Sequence, residues 1–293
     1  MTIRGSLMRV LMQEDLNFLL TNRLPRRFAT SMVGRLARIE HPLVARPALA
    51  AWRFFAGVDM HDSAETRFRS LRDGFTRALK PGARRFDPDP AVIASPCDAV
   101  VGAHGAIDGD RLYQVKGFPY RLADLVPDPA VAARFAGGSF VTLRLTAGMY
   151  HRFHAPADLT VEGVTYLSGD CWNVNPIALK RVERLFCRNE RAVIEARLGD
   201  GTQLLLVPVA AILVASIRLT FLDTERTLRE RGPGRSACDV RLEKGEEMGW
   251  FEHGSTIIVL LPPGISLRES LSEGASIRAG AALARTATGR QTF

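Results

Sequence analysis

The sequence predicts an α+β protein, in which a helical, amphipathic N-terminal arm precedes a mostly antiparallel β core. Apolar residues recur at four-residue spacing over residues 1–60, which is typical of helices with one apolar face. From Val92 onward, short apolar or alternating runs are separated by Gly, Pro and Asp, as in β-rich folds. The 293 residues are 46% hydrophobic and 24% charged, so they can bury the core of one large domain or two ordinary ones.

The first predicted element is the arm, residues 1–60. Its helices carry arginines on one side and apolar residues on the other, the latter being Ile3, Leu7, Met8, Leu11, Met12, Leu16, Leu20, Phe28, Met32, Leu36, Ile39, Trp52, Phe54 and Phe55. Nine arginines against four acidic residues give the arm a net charge of +5. Helices of this kind suit the surface of an anionic membrane, but they can equally pack on the protein's own core.

The β core follows the arm. Its strand-like runs are Val92–Ala94, Leu112–Val115, Phe140–Leu145, Val161–Leu167, Ala192–Arg197, Gln203–Val209, Ile212–Leu219 and Thr256–Leu261. Between them, Pro176–Arg184 is predicted to form one short helix. The polar, Gly-rich residues 223–247 are predicted to be a loop.

Charge and cysteine content limit the classes of function. A net charge of +8 predicts an anionic partner, which can be nucleic acid, an acidic membrane surface or an acidic substrate. Nucleic acid is disfavoured because no basic motif is interleaved with aromatic residues. The four cysteines show neither a C-x-x-C pair nor zinc-finger spacing, so we expect no metal site, no disulfide framework and a reducing compartment. No apolar run reaches the ~18–20 residues of a transmembrane helix, and no signal peptide is expected.

The candidate chemical groups are a histidine pair, an aspartate in a turn and a serine at a strand start. His151 and His154 follow a predicted strand, Asp98 follows Ser95-Pro96-Cys97, and Ser255 follows Gly254. Taken singly, each has an ordinary structural interpretation: a surface or core histidine pair, a turn cap and a simple turn. The sequence contains no nucleophile elbow, P-loop, dinucleotide-binding fingerprint or zinc-protease motif.

Taken together, these residues belong to a series of motifs that runs from about residue 40 to residue 265. The motifs are Phe75-Thr76-Arg77 with Lys80-Pro81-Gly82-Ala83-Arg84, Ser95-Pro96-Cys97-Asp98, Gln114-Val115-Lys116-Gly117, Tyr150-His151-Arg152-Phe153-His154-Ala155-Pro156, Val174-Asn175-Pro176, Leu185-Phe186 with Asn189-Glu190-Arg191, and Lys244-Gly245-Glu246-Glu247-Met248-Gly249 with Phe251 and Gly254-Ser255-Thr256. In this order they resemble the bacterial phosphatidylserine decarboxylase proenzymes.

The resemblance implies that the chain makes its own cofactor. Residues 61–293 would be a pyruvoyl decarboxylase core that cleaves itself between Gly254 and Ser255, giving a β chain of residues 1–254 and an α chain of residues 255–293. Ser255 would attack the carbonyl carbon of Gly254, with His154 as its base and Asp98 as the carboxylate that orients the base. Elimination and hydrolysis would then leave a pyruvoyl group, a covalent pyruvate cofactor derived from Ser255.

The resemblance also implies the reaction of the mature enzyme. Phosphatidylserine would form a Schiff base with the pyruvoyl group, lose CO2 and leave as phosphatidylethanolamine, with His151 as the proton donor. The expected location is the cytoplasmic side of a bacterial cell membrane, where the protein would bind peripherally to the anionic surface. The α and β chains would remain together as a heterodimer, and two heterodimers could pair.

Departures from the family pattern leave the substrate more open than the reaction type. They include Pro208 and Ala215, where the family has glycine, and Asn173, where some members have serine. One alternative is the same pyruvoyl chemistry on another serine phospholipid or on a soluble amino acid. A further alternative is a lipid-binding protein that uses the same scaffold without catalysis.

Overall fold

The computed structural model describes residues 13–19, 26–115, 118–211, 217–252 and 255–286. Its helices are α1 Glu14–Phe18, α2 Arg26–Ala37, α3 Pro42–Ala56, α4 Leu71–Phe75, α5 Leu122–Leu125, α6 Pro129–Ala133, α7 Pro176–Leu179, α8 Leu185–Arg188 and α9 Thr224–Arg231. Its strands are β1 Val92–Ala94, β2 Ala99–Ala106, β3 Arg111–Val115, β4 Phe118–Arg121, β5 Ser139–Leu145, β6 Arg152–His154, β7 Leu159–Leu167, β8 Arg191–Leu198, β9 Gln203–Ala210, β10 Ile217–Leu219, β11 Gly234–Leu242, β12 Glu247–Phe251, β13 Ser255–Leu261, β14 Ser266–Leu267, β15 Ser276–Ile277 and β16 Ala282–Arg285. Helices therefore precede a β-rich core, which confirms the α+β prediction.

The longest helix of the arm, α3, has clear start and stop signals. Pro42 lies in its first turn, where the missing N–H costs nothing, and the helix ends at Gly57, which adopts a left-handed φ of 61°. One face of α3, including Leu49 and Trp52, is buried against Phe75 of α4. The Trp52 indole N–H also donates to the carbonyl of Ala147 at 2.8 Å, which ties the arm to the core. No helix among the described residues is both long and apolar enough to cross a membrane.

A single eight-stranded sheet organises the core. Its strand order is β11-β7-β8-β9-β13-β5-β2-β15, and every neighbouring pair is antiparallel. Strand β13 lies in the interior between β9 and β5, so that Ser255 is paired with Ala210 on one side and Leu145 on the other. All seven residues of β13 are buried.

Both faces of this sheet are covered at β13, which explains the continuous apolar run of that strand. Ile257 and Val259 belong to one hydrophobic cluster, while Ile258 and Leu260 belong to the other. Because side chains alternate along a strand, Ser255 lies on the same face as Ile257. That face is covered by residues that include Phe153 of β6.

A small sheet of order β10-β12-β6 carries the histidine segment beside the main sheet. Strand β6 pairs with β12, where His154 is opposite Glu247. Strand β12 ends at Phe251, four residues before β13 begins. The small sheet thus places the histidines and the chain that leads to Ser255 side by side.

The prediction of a loop over residues 223–247 is wrong. This stretch contains α9, capped by the Asp223 carboxylate on the N–H of Arg226 at 3.0 Å, and the edge strand β11. Helix α9 is almost entirely polar, and β11 alternates because only one of its faces is covered, so neither carries a long apolar signal.

Three further differences are smaller. The helix predicted over Pro176–Arg184 ends at Leu179. Strand β2 was not predicted, because Gly102 and Gly105 interrupt its pattern. Of the strand predicted over Ile212–Leu219, only β10 is described, and Ala215 lies outside the described residues.

Pro208 lies inside the central strand β9, where a missing N–H would normally break a ladder. It is in register with Ile257 of β13. On the other side of β9, Val209 pairs with Arg191 of β8, and the next registered pair is Leu206 with Ile194. Pro208 has no registered partner in β8. The irregularity on that side accommodates the proline.

Candidate active site

Ser255 is the first residue of β13 and is fully buried. Its Oγ has no hydrogen-bond partner among the described residues. A buried hydroxyl without a partner is costly in a folded protein, and a catalytic role is one reason for its retention. Gly254, the other half of the predicted cleavage site, lies outside the described residues.

His154, at the end of β6, is held by two hydrogen bonds that fix its tautomer. Its Nδ1 lies 2.9 Å from the carbonyl oxygen of Gly245, which can only accept, so the Nδ1–H donates. Nε2 is then unprotonated and accepts from the Tyr150 hydroxyl at 3.0 Å. Burial lowers the pKa of His154 below its usual value near 6.5, while the Gly245 carbonyl acts in the opposite direction. The imidazole is therefore neutral near pH 7, and Nε2 can act as a base once it exchanges the Tyr150 hydroxyl for another proton donor.

Asp98 is buried in the turn that precedes β2, and its carboxylate is bound by Arg84. The guanidinium Nε and Nη2 donate to Oδ1 and Oδ2 at 2.7 and 2.5 Å. Arg84 also donates to Asp62 at 2.8 Å, and the N–H of Ala279 donates to Asp98 at 2.9 Å. These bonds to the two carboxylates raise the pKa of Arg84.

The segments that carry Asp98 and His154 are in contact, but the three predicted relay residues do not form a continuous chain of hydrogen bonds. The backbone N–H of His154 donates to the carbonyl of Pro96 at 2.8 Å, which fixes β6 against the turn that carries Asp98. None of the side-chain hydrogen bonds of the described residues joins Asp98 to His154, or His154 to Ser255. The group that orients the imidazole here is the Gly245 carbonyl.

His151, the predicted proton donor, occupies a different environment from His154. It is fully buried, and its ring centroid lies 5.3 Å from that of Phe75, whereas the ring of His154 lies 5.7 Å from those of Tyr150 and Phe86. His151 lies just before β6, and His154 is the last residue of that strand. The two imidazoles therefore pack against different aromatic rings.

Sequence reasoning missed a carboxylate at the end of β12. Glu252 is buried and is surrounded by Arg72 at 2.8 Å, Arg38 at 3.1 Å and Arg218 at 3.6 Å. Burial alone would raise the pKa of Glu252, but the three arginines lower it. Glu252 stands two residues before Gly254, inside the motif that surrounds the predicted cleavage site. Its place in that motif was the only sequence signal for a role of Glu252. The three arginines that bind it are distant in the sequence, so no local pattern could identify them.

Tyr150 and Arg84 were also missed as functional residues. Each stands in one of the motifs but was given no role of its own from the sequence. The structure shows that they are the direct side-chain partners of His154 and Asp98. Among the described residues, no three His, Cys, Asp or Glu side chains converge as a metal site would require.

Comparison with known proteins identifies the family. The family model for phosphatidylserine decarboxylase matches residues 71–285. A phosphatidylserine decarboxylase proenzyme of Anaeromyxobacter sp. (strain K) is 38% identical over 269 residues, which cover 88% of this chain and 93% of that protein. A proenzyme of the same name from Xanthomonas euvesicatoria pv. vesicatoria (strain 85-10) is 36% identical over 91% of this chain and 97% of its own length.

A third relative matches at a similar identity. The phosphatidylserine decarboxylase proenzyme of Shewanella baltica (strain OS155 / ATCC BAA-1091) is 36% identical over 81% of this chain and 84% of its own length. The matched region includes the histidine segment, the Asp98 turn and the start of β13. The chain therefore belongs to the phosphatidylserine decarboxylase family of carboxy-lyases.

Proposed function

We propose that this chain is a proenzyme that cleaves itself between Gly254 and Ser255 and then converts phosphatidylserine to phosphatidylethanolamine and CO2. The observation that carries the proposal is Ser255 itself. The residue is fully buried, and its hydroxyl lacks a hydrogen-bond partner among the described residues. Ser255 is also the first residue of a central strand and lies on the face that packs against residues of β6. The hydroxyls of Thr256, Thr142 and Ser139 are also buried without a partner among the described residues, so what distinguishes Ser255 is its place directly after Gly254 at the start of β13.

The cleavage chemistry needs a base, and His154 has the required protonation state. Nε2 would take the Ser255 proton as Oγ attacks the carbonyl carbon of Gly254, and the peptide C–N bond would break to leave an ester and a free amine. Loss of the α-proton of Ser255 and of the Gly254 carboxylate would then give dehydroalanine. Water would convert it to a pyruvoyl group and release ammonia.

Asp98 is proposed as the carboxylate that supports His154. In the uncleaved chain its oxygens are bound by Arg84, so a direct hydrogen bond to the imidazole requires an exchange of partners. Burial lowers the pKa of His154, and the Gly245 carbonyl, the Glu247 carboxylate and, least of the three, the Asp98 carboxylate raise it. Asp98 would thus stabilise the imidazolium that forms when Ser255 loses its proton.

The position of Ser255 fits a pyruvoyl group. The Cα of Ser255, which would become the ketone carbon, lies at the very start of β13 in a fully buried residue, so a carbonyl created there would be shielded from bulk water. Such a group supplies an electron-withdrawing carbonyl that accepts the electron pair left when CO2 departs. His151, buried beside Phe75, would deliver the proton to the resulting carbon.

The arm is proposed to bind an anionic membrane. Helix α3 buries Ala45, Leu49 and Trp52, yet its opposite side is also apolar and is exposed at Leu43, Pro47, Ala50 and Phe54. Leu43 is 81% exposed. An uncovered apolar stripe flanked by exposed arginines suits the headgroup region of anionic lipids on the cytoplasmic side of a bacterial membrane.

Intact mass is the decisive test of the cleavage proposal. The purified protein should yield a chain of residues 1–254 and a chain of residues 255–293, the latter blocked by a pyruvoyl group and resistant to Edman sequencing. Ser255→Ala should stay at the full 32.2 kDa. A wild-type protein that remains one unmodified chain would refute the proposal. Release of CO2 from phosphatidylserine, compared with L-serine, tests the substrate.

Vesicle pelleting tests the membrane proposal. Leu43→Asp should weaken binding to anionic vesicles by about tenfold or more, because it removes a leucine from the apolar stripe. Tyr113→Asp is a matched control, since Tyr113 is an exposed apolar residue outside the arm. Equal binding to neutral and anionic vesicles at every salt concentration would refute the electrostatic part.

A further inference from the structure

A cavity of about 280 Å³ lies between the arm and the candidate active site. Its lining includes Ala56 and Gly57 at the end of α3, Arg77 after α4, and Tyr150 from the loop before β6. Arg278, which follows β15, completes the wall. The cavity is therefore built from segments that lie far apart in the chain.

Two residues of the cavity wall connect it to Ser255 and to His154, neither of which lines it. Leu145 is the register partner of Ser255, and the next residue, Thr146, lines the cavity. Tyr150, also in the lining, donates its hydroxyl to His154. A ligand in the cavity would lie beside the reacting centre.

The cavity also adjoins the end of α3, where two aromatic side chains are exposed. Phe54 and Phe55, 45% and 41% exposed, immediately precede the lining residue Ala56 in the last turn of α3. Exposed aromatic rings are typical of the level of lipid headgroups. A headgroup could enter the cavity there while its acyl chains stay in the bilayer.

Three arginines and three aspartates line the cavity, but they are not evenly paired. Arg84 is bound to both Asp62 and Asp98. Among the described residues, neither Arg77 nor Arg278 forms an ion pair with a carboxylate. Two cations of the wall therefore lack a carboxylate partner.

Arg77 is the more unusual of these two cations, because it is only 6% exposed. Its guanidinium donates to the carbonyls of Gly74 at 3.3 Å and Gly148 at 3.1 Å and lies 5.6 Å from the Trp52 ring centroid. Its Nε has no hydrogen-bond partner among the described residues. Burial lowers the pKa of Arg77 and the charge of Asp98 raises it, but no carboxylate of the described residues forms an ion pair with the guanidinium, so an anionic ligand would stabilise this buried cation.

We propose that Arg77 and Arg278 bind the phosphodiester of the phospholipid headgroup, an assignment that rests on the proposed function. Of the two anionic groups of phosphatidylserine, the phosphodiester is the one that survives the reaction. An arginine bound to the carboxylate would stabilise the ground state and oppose the loss of CO2. An arginine on the phosphodiester binds substrate and transition state alike and holds the reacting carbon in place.

The assignment gives self-cleavage a structural consequence. Arg77 would lie in the chain of residues 1–254 and Arg278 in the chain of residues 255–293. The phosphate site would therefore need both products, held together in one folded unit.

The test uses Arg278→Gln, because Arg77 also holds two backbone carbonyls and its loss could disturb folding. Arg268→Gln is a matched control, since Arg268 is exposed, lies in the same chain and does not line the cavity. With phosphatidylserine in mixed micelles, Arg278→Gln should raise KM about tenfold while kcat changes less than about twofold, as expected for loss of one charge-assisted hydrogen bond. Arg278→Lys should recover most of the loss.

Two soluble inhibitors identify the anion that is bound. Glycerophosphoethanolamine has the phosphodiester without the carboxylate, and L-serine has the carboxylate without the phosphodiester. Inhibition by the former should weaken about tenfold in Arg278→Gln, and inhibition by the latter should not change. The reverse pattern, or equal behaviour of Arg278→Gln and Arg268→Gln, would overturn the assignment.

A separate measurement keeps this test independent of the proposed function. Calorimetric binding of glycerophosphoethanolamine is measured on the wild-type chain and on Arg278→Gln, whatever their activity. Binding that depends on Arg278 in a protein without decarboxylase activity would support the anion site and refute the substrate. Decarboxylation with no dependence of binding on Arg278 would refute the site and leave the proposed function intact.

Discussion

Replacing Asp98 by asparagine should block self-cleavage and also destabilise the precursor, and the two effects can be separated. Asp98 and Arg84 form a bidentate pair whose side chains are only 12% and 11% exposed. Removing one partner of a buried pair costs about 3–5 kcal/mol. Arg84 keeps its ion pair with Asp62 at 2.8 Å, so its charge is not left without a partner. We therefore expect the free energy of unfolding to fall by about 3 kcal/mol, the lower end of that range, and Tm to fall by roughly 6 °C.

Arg84→Met is the matched variant, since it breaks the same pair but keeps the Asp98 carboxylate. Thermal unfolding is measured for both variants in the Ser255→Ala background, where every chain remains intact. Cleavage is followed on gels with Ser255 present, at a temperature at which both variants are folded. The two variants should lose similar stability.

Their cleavage rates should differ. Asp98→Asn should lose cleavage by up to ~10⁴-fold, as in relays of this kind, because His154 loses its supporting carboxylate. Arg84→Met should cleave within about tenfold of wild type, since Asp98 no longer has to exchange Arg84 for the imidazole. Normal cleavage by Asp98→Asn, or equal loss in both variants, would show that Asp98 acts only through the fold.

Three other predictions concern the neighbouring groups. His151→Ala should still cleave but should decarboxylate ~10²–10⁴-fold more slowly, by gel and CO2 assay on one preparation; failure to cleave would refute its separate role. Because burial lowers the pKa of His154, the cleavage rate should stay level from pH 8 down to about 6.5 and fall only at lower pH, where the imidazole is protonated. A rate that already falls above pH 7 would exclude His154 as a base with this pKa. Glu252→Gln should slow cleavage, because three arginines next to the cleavage segment lose their shared carboxylate, whereas the exposed Glu243→Gln should not; equal rates would limit Glu252 to a structural role.

Elements with a strong local pattern could be predicted from the sequence, whereas those defined by their surroundings could not. The interior strand β13 is apolar on both faces, and α3 repeats its apolar residues at helical spacing. The edge strand β11 and the charged helix α9 have only a weak apolar signal of their own. Their formation depends on a neighbouring strand and on a capping aspartate.

The same distinction applies to the site. Motif order located Asp98, His154 and Ser255 in the sequence, because each stands in a short recognisable segment. It could not show that Asp98 pairs with Arg84 or that the carbonyl of Gly245 orients His154. Those contacts depend on how distant segments pack, which no local pattern encodes.

The interior position of β13 has a consequence for refolding. Before cleavage, β13 is covalently linked to its neighbours β5 and β9, so the precursor can refold as a single chain at a rate independent of concentration. After cleavage, the strand between them would belong to a separate 39-residue peptide. Recovery from denaturant would then become a second-order encounter that slows on dilution and competes with aggregation of the incomplete sheet. Maturation would thus convert a reversible fold into one maintained only by the slowness of its unfolding.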